Sequence, residues 1–288
     1  MKNINLKELA KAAPQGEAAA GAAPALRRLL KKTAKAALDL LYPPSIYCIA
    51  CGNLIDASRP YALCDACRER FGWANDRTCD KCGKPLRDAG ARTLCANCAD
   101  GGQLFEKGCV CVEYADCREL LYGFKYGGRT YYGAHIARVM HDRLLWEAHA
   151  HGAPPQIDLL LPVPMYGKKE RKRGYNQADV AGRQLARLIA LPYDRTLLER
   201  TRSTRVMSSL SAEERGANVQ GAFALARGRE EAVRGLRVML VDDIFTTGST
   251  IDACAETLLS AGAVSVRFIV FAAGADAGTD AGDLRGAM

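Results

Sequence analysis

Two sets of residues in this chain have the types and spacing to do chemistry. The first is eight cysteines in four Cys-x-x-Cys pairs: Cys48 with Cys51, Cys64 with Cys67, Cys79 with Cys82, and Cys95 with Cys98. One such turn brings two thiolates to a single ion, and two turns close a tetrahedral site that leaves no position for water. The chemistry implied is structural, with Zn2+ as the expected ion at two sites. A shift of 31 residues carries the first two pairs onto the second two, and Gly52 and Leu63 onto Gly83 and Leu94, so the unit is duplicated. Duplication puts Cys48, Cys51, Cys64 and Cys67 on one ion and the other four on the second, although a cross-braced pairing satisfies the same count. A thioredoxin-like redox pair and an iron–sulfur cluster are the rival uses of such cysteines; four pairs with a repeated twelve-residue spacer favour zinc over both. Cys109, Cys111 and Cys254 fall in strand or helix patterns and read as small buried hydrophobes; these and Cys117 are given no role.

The second set is the stretch VMLVDDIFTTGST at residues 238–250. Its apolar run reads as a buried parallel strand, whose carboxyl end is where ligands sit in open α/β sheets. Asp242 and Asp243 at that end can accept hydrogen bonds from vicinal ribose hydroxyls. Gly248 permits a tight turn, and the hydroxyls of Thr246, Thr247, Ser249 and Thr250, with amides at a helix start, form a cradle for phosphate. The parts describe a clamp for a ribose 5-phosphate group. The plainer reading is a turn followed by a Ser or Thr helix cap. A Walker-type phosphate loop is excluded, because the Gly-Lys-Ser/Thr ending is missing.

Both sets need elements to position them. The 288 residues, 49% hydrophobic and 25% charged, describe a globular protein of one large or two modest domains, not a disordered or fibrous chain. No stretch is long and apolar enough to cross a membrane, and no signal-type apolar core stands near residue 1, so a cytoplasmic location is expected. Residues 1–23 read as a disordered tail, and 24–42 as a basic amphipathic helix stopped by Pro43 and Pro44, together a 1–45 segment. The cysteine unit spans 46–104. Beyond it, strand candidates at 109–114, 157–163, 238–241 and 264–271 alternate with helix candidates at 117–125, 135–146, 178–190 and 251–260. That alternation predicts a mostly parallel α/β sheet over 105–274, followed by a second tail at 275–288. The formal charge of +8 is a poor sign of a nucleic-acid partner: +5 of it lies in residues 1–45, and each four-thiolate zinc site brings about −2. The anion-binding case rests on the clamp and on Lys168, Lys169, Arg171, Lys172 and Arg173, which read as a loop after the second strand candidate.

The 238–250 stretch is similar to the phosphoribosyl pyrophosphate (PRPP) signature of type I phosphoribosyltransferases. In chain order, Pro43-Pro44 before the cysteine repeat, GFKYGG at 123–128, LPVP at 161–164, RGYNQA at 173–178, LSAEERGANVQGAF at 210–223 and the signature itself resemble the competence protein F family (ComF/ComFC-like), over roughly residues 40 to 273. The resemblance implies a double zinc ribbon followed by a type I phosphoribosyltransferase-like fold. It implies a cytoplasmic role in natural competence and DNA uptake, with single-stranded DNA and a helicase or recombination protein as partners. It also implies PRPP held with Mg2+: ribose on Asp242 and Asp243, 5-phosphate on Thr246, Thr247, Gly248, Ser249 and Thr250, and pyrophosphate near Arg173, Gly174 and Asn176. Arg200, Arg202 and Arg205 are candidates for a hood over the site. Met207 stands where the family usually has Gln, and a polar residue is often found near Tyr166; Met207 cannot make the Gln amide's hydrogen bonds. No residue pattern identifies an acceptor that would displace pyrophosphate. Three readings follow: a PRPP-binding competence factor, a phosphoribosyltransferase of nucleotide metabolism, and a non-catalytic zinc-ribbon interaction module.

Overall fold

The computed structural model describes residues 46–87, 90–203 and 221–276. The expected helix at 24–42, both expected tails except for residues 275 and 276, Arg205, Met207 and residues 210–220 of the LSAEERGANVQGAF motif lie outside the described residues. Six strands occur among those described: β1 (Gly108–Glu113), β2 (Leu159–Pro162), β3 (Leu198–Arg200), β4 (Phe223–Leu225), β5 (Arg237–Phe245) and β6 (Ser265–Ala273). β1, β6, β5 and β2 form one sheet in that order, every pairing parallel, and β3 pairs antiparallel with β4 beside it. The helices are α1 (Asp65–Arg70), α2 (Ala96–Ala99), α3 (Tyr114–Tyr126), α4 (Tyr132–Ala150), α5 (Gly167–Arg173), α6 (Gln177–Leu188) and α7 (Ser249–Ser260). All four strand and four helix candidates of the α/β region are present, with ends displaced by up to four residues. The largest strand extension carries β5 through both acids to Phe245, because Asp242, Ile244 and Phe245 keep pairing with β6.

One segment differs in kind. Residues 167–173, read above as a loop, form helix α5. Lys, Arg and Glu are good helix formers, and Arg171, Lys172 and Arg173 in the last turn complement its carbonyl end. Gly174 ends it at φ +90, donating its N–H to the Glu170 carbonyl at 2.7 Å.

The sheet has a core on each face. Along β5, Val238 and Leu240 join one cluster with Phe105, Phe268, Ile251, Cys254 and Leu258; Met239 and Val241 join the other with Leu120, Phe124, Ile136, Met140 and Leu185. Each face also takes one cysteine unit. Cys48 and Cys67 belong to the α3/α4/α6 side, and Cys79, Cys82, Cys95 and Cys98 to the α7 side. The two units are therefore built into the packing of the sheet.

The duplication is visible bond by bond. Cys48 N–H donates to the Asn53 carbonyl at 2.8 Å, and 31 residues later Cys79 N–H donates to Lys84 at 2.8 Å. Gly52 and Gly83 both adopt positive φ, +78 and +74, and both return an N–H to the first cysteine of their turn at 2.8 Å. The bridges Tyr47 to Leu54 and Thr78 to Pro85 obey the same shift, as do the starts of α1 and α2.

Candidate phosphate and ribose site

The cysteines resolve into two foursomes, Cys48/Cys51/Cys64/Cys67 and Cys79/Cys82/Cys95/Cys98, with all sulfurs of each within 4.8 Å of one another. This is the pairing that duplication favours, and not the cross-braced one. A tetrahedron with Zn–S bonds of about 2.3 Å has sulfurs roughly 3.8 Å apart. Cys51 and Cys64 stand at 3.7 Å and Cys82 and Cys95 at 3.6 Å, so both sets fit zinc. The other four cysteines are buried, and burial pushes the Cys109 thiol up to about 12 and Cys254 well above its usual value, as expected of inert packing residues.

At the carboxyl end of β5, Asp242 follows Val238 and Leu240 onto the α7 face, where Cys254 and Arg200 are its electrostatic neighbours. Its Oδ1 accepts the Asp243 N–H at 2.8 Å. Burial, together with the adjacent Asp243 charge, pushes its carboxyl up to about 7. Asp243 meets a cation instead: Lys125 Nζ, from the last turn of α3, lies 3.2 Å from its Oδ2. Burial works against the Lys125 charge, but Asp243 and Asp242 outweigh it and hold the ammonium above its usual range. Lys125 is the residue that sequence reasoning left without a role, although GFKYGG had marked its neighbourhood.

The phosphate cradle follows directly. Gly248 turns the chain at φ +93, and α7 begins at Ser249, two residues before the expected start. A capping role for the hydroxyls would show as a side-chain bond to the first turn, and among the described residues no side chain caps α7. Thr247 Oγ1 instead lies 2.9 Å from Ser249 Oγ, and Thr246 is exposed. The loop thus presents hydroxyls beside uncapped amides at the positive end of a twelve-residue helix.

The expected pyrophosphate residues divide. Asn176 is buried and spends its side chain on structure, accepting from Ala178 N at 3.0 Å and donating to the Val163 carbonyl at 2.9 Å, so that α6 is capped and tied to the end of β2. Arg173 donates to Gln177 Oε1 at 2.7 Å and lies over the Tyr126 ring at 5.0 Å. Its charge is felt by Lys125 and Lys169. Around it, Lys168, Lys169, Arg171 and Lys172 of α5 are exposed, as are Tyr122 at 66% and Tyr126 at 60%, whose rings lie 5.0 Å apart. Arg200 is half-buried at the end of β3 and covers the Phe223 ring at 5.3 Å. A cavity of about 560 Å3 lies at the opposite, amino end of the strands, and its cations are matched there by carboxylates: Arg267 by Glu106, Lys107 by Glu147, and Arg237 by Asp158.

Among known proteins, the double zinc ribbon domain family matches residues 37–99, and the phosphoribosyl transferase domain family matches residues 172–283. Competence protein F of Haemophilus influenzae is 30% identical over 76% of this chain and 93% of its own length. DNA utilization protein YhgH of Salmonella typhi is 30% identical over 72% of this chain and 88% of its own. Competence protein ComFC of Bacillus subtilis is 23% identical over 69% and 79%. Among solved structures, glutamine PRPP amidotransferase of B. subtilis aligns at TM-score 0.33 and 20% identity, covering 52% of this chain and 30% of that one. No described helix is long and apolar enough to cross a membrane. The chain belongs to the competence protein F family, a double zinc ribbon joined to a phosphoribosyltransferase-like α/β domain.

Proposed function

We propose that this chain binds PRPP, or another group ending in ribose 5-phosphate, in the cytoplasm, and uses that site in the handling of incoming single-stranded DNA. The observation that carries the reading is the start of α7, one short turn beyond the acid pair and without a side-chain cap among the described residues. The 5-phosphate takes the hydroxyls and amides of Thr246, Thr247, Gly248, Ser249 and Thr250. The ribose hydroxyls donate to Asp242 and Asp243, which requires Asp242 to be ionised, while the ion pair with Lys125 holds the Asp243 carboxylate in place. Mg2+ accompanying PRPP would neutralise its pyrophosphate, and Arg173 is the chain's own cation on that side. Gly174 turns the backbone there, and Asn176 fixes the turn to β2.

The DNA part is supported by the names of the relatives and by the surface beside the clamp. Basic α5 and the exposed Tyr122 and Tyr126 combine charge for phosphates with faces for stacked bases. An enzymatic variant of the same reading has an acceptor nitrogen displacing pyrophosphate at the anomeric carbon.

Ribose 5-phosphate, and PRPP with Mg2+, are expected to raise the Tm of the zinc-loaded chain, and Asp243→Asn to abolish the shift with zinc content unchanged. No shift at millimolar ligand overturns the reading. Pyrophosphate release with added bases decides between binding and transfer.

A further inference from the structure

The second cysteine unit does more than stand near the phosphate loop; it forms the wall against which the loop rests. Asn97, between the ligands Cys95 and Cys98, donates its Nδ2 to the Thr247 carbonyl at 3.4 Å. A few residues on, Leu104 N–H donates to Asp252 Oδ1 at 2.9 Å, in the first turn of α7. Next in the chain, the Phe105 ring stands perpendicular to those of Phe268, at 4.9 Å between centroids, and Phe245, at 6.2 Å, and Phe245 stacks on Phe268 at 4.8 Å. Phe245 in turn closes the space under Gly248, where an added Cβ would come within 3.1 Å of its ring. Lys84, two residues after Cys82, lays its ammonium 5.8 Å from the centre of the same ring, adding positive charge on the loop's side of the sheet.

A continuous packed path therefore runs from the Cys79/Cys82/Cys95/Cys98 centre to the turn at Thr247 and Gly248. Among the described residues the first unit shows no such path: its long-range contacts run to α4, through Tyr61 and Asp142, and to the α3 side of the sheet.

We propose that Asn97 and Phe105 are positioning residues of the phosphate site, so that zinc in the second ribbon and a 5-phosphate on the loop stabilise one another while zinc in the first ribbon is indifferent to the ligand. This rests on the ribose 5-phosphate reading above. Zinc fixes α2, α2 fixes Asn97, and Asn97 with the Phe105 stack holds the Thr247–Gly248 turn in the shape that aims its amides outward. A phosphate that requires this shape resists the loosening that zinc loss would allow, and by linkage the coupling has one magnitude in both directions.

The test uses the full chain and ribose 5-phosphate. Cys51→Ser removes an exposed ligand of the first ribbon and leaves a chain with only the second zinc. Saturating ribose 5-phosphate is expected to slow extraction of that zinc by a chromogenic chelator at least about fivefold. In the unaltered chain it should slow the later of two zinc phases and leave the earlier one alone, a measurement that stands even if the variant folds poorly. Asn97→Ala should keep both zincs, weaken ribose 5-phosphate about fivefold, and shrink the protection of zinc. A ligand that raises Tm yet leaves both extraction phases unchanged overturns the coupling alone. A ligand that raises no Tm overturns the phosphate site, and this inference with it.

Discussion

The two zinc ribbons share a sequence repeat and a hydrogen-bond pattern, yet they are placed in different company. In the first, Cys51 is exposed, Cys64 half-buried, and the turn glycine Gly52 has nothing within 4 Å of where a Cβ would stand. In the second, all four cysteines are buried, and a Cβ on Gly83 would lie 2.7 Å from the Gly108 carbonyl oxygen of β1. Gly108 is itself wedged, its own Cβ position 2.1 Å from the Phe268 ring. The same knuckle is thus an outer clasp on the helices in one copy and part of the sheet's core in the other. Local sequence sets the metal geometry, and the neighbours decide what the metal supports.

The largest break in that comparison comes from removing one ligand from each. Cys82→Ser leaves an unpaired polar group in the core and opens the buried centre, and is expected to abolish the cooperative melt. Cys51→Ser should lose one zinc per chain and lower Tm by only a few degrees. Zinc content and a thermal scan check both, and equal losses would erase the distinction. The glycines give the next contrast. Gly83→Ala combines backbone strain with a clash against a backbone carbonyl and should cost about 3–5 kcal/mol. Gly52→Ala carries the strain alone, about 1 kcal/mol. Urea midpoints at fixed zinc separate them.

The repeat itself was legible, because Cys-x-x-Cys spacing is local and the shift of 31 residues brings Gly52 and Gly83 with it. The strands and helices were legible from their apolar periodicity, and the phosphate loop from the order of acids, hydroxyls and glycine. Three things were not. Gly167 and the six charged residues at 168–173 carry no apolar stripe, so α5 reads as a loop from the sequence alone. Lys125 reaches Asp243 across more than a hundred residues, a contact that only packing creates. The unequal burial of two equivalent ribbons has the same origin, since Gly108 at the start of β1 packs against Gly83 of the second ribbon, a contact that only the folded sheet creates.

The acid pair extends the comparison to the two faces of the sheet. Asp243, toward the α3 side, has a lysine; Asp242, half-buried toward the second ribbon's side, has its carboxyl pushed up to about 7 by desolvation and the Asp243 charge. Its folded pKa lies above the unfolded value of 3.8, so the folded state holds the proton longer. Asp242 therefore loses stability for the fold as pH rises from about 4 through 7, and the penalty is complete above 7. Asp242→Asn should stabilise the free chain by roughly 2 kcal/mol at pH 8, with about half that gain at pH 5.5, while weakening ribose 5-phosphate. Asp243→Asn should cost about 1–3 kcal/mol at pH 8, because it strands Lys125. Denaturation at the two pH values gives both signs, and a stabilising Asp243→Asn would mean that the faces do not differ in this way.

The smallest expected effect is also the cleanest control on the division of labour between the ribbons. Tyr61 of the first ribbon donates its hydroxyl to Asp142 Oδ2 at 2.7 Å, and burial beside that carboxylate pushes the phenol well above its usual range. Tyr61→Phe removes this bond to α4 and should cost about 0.5–1.5 kcal/mol, with two zincs retained. Because α4 does not carry the phosphate loop, the Tm increment produced by ribose 5-phosphate should equal that of the unaltered chain. Asn97→Ala should show the opposite pattern, a small loss of stability and a clear loss of ligand. If Tyr61→Phe reduces ligand binding as much as Asn97→Ala does, both ribbons act on the site through the sheet, and the first ribbon is more than a clasp.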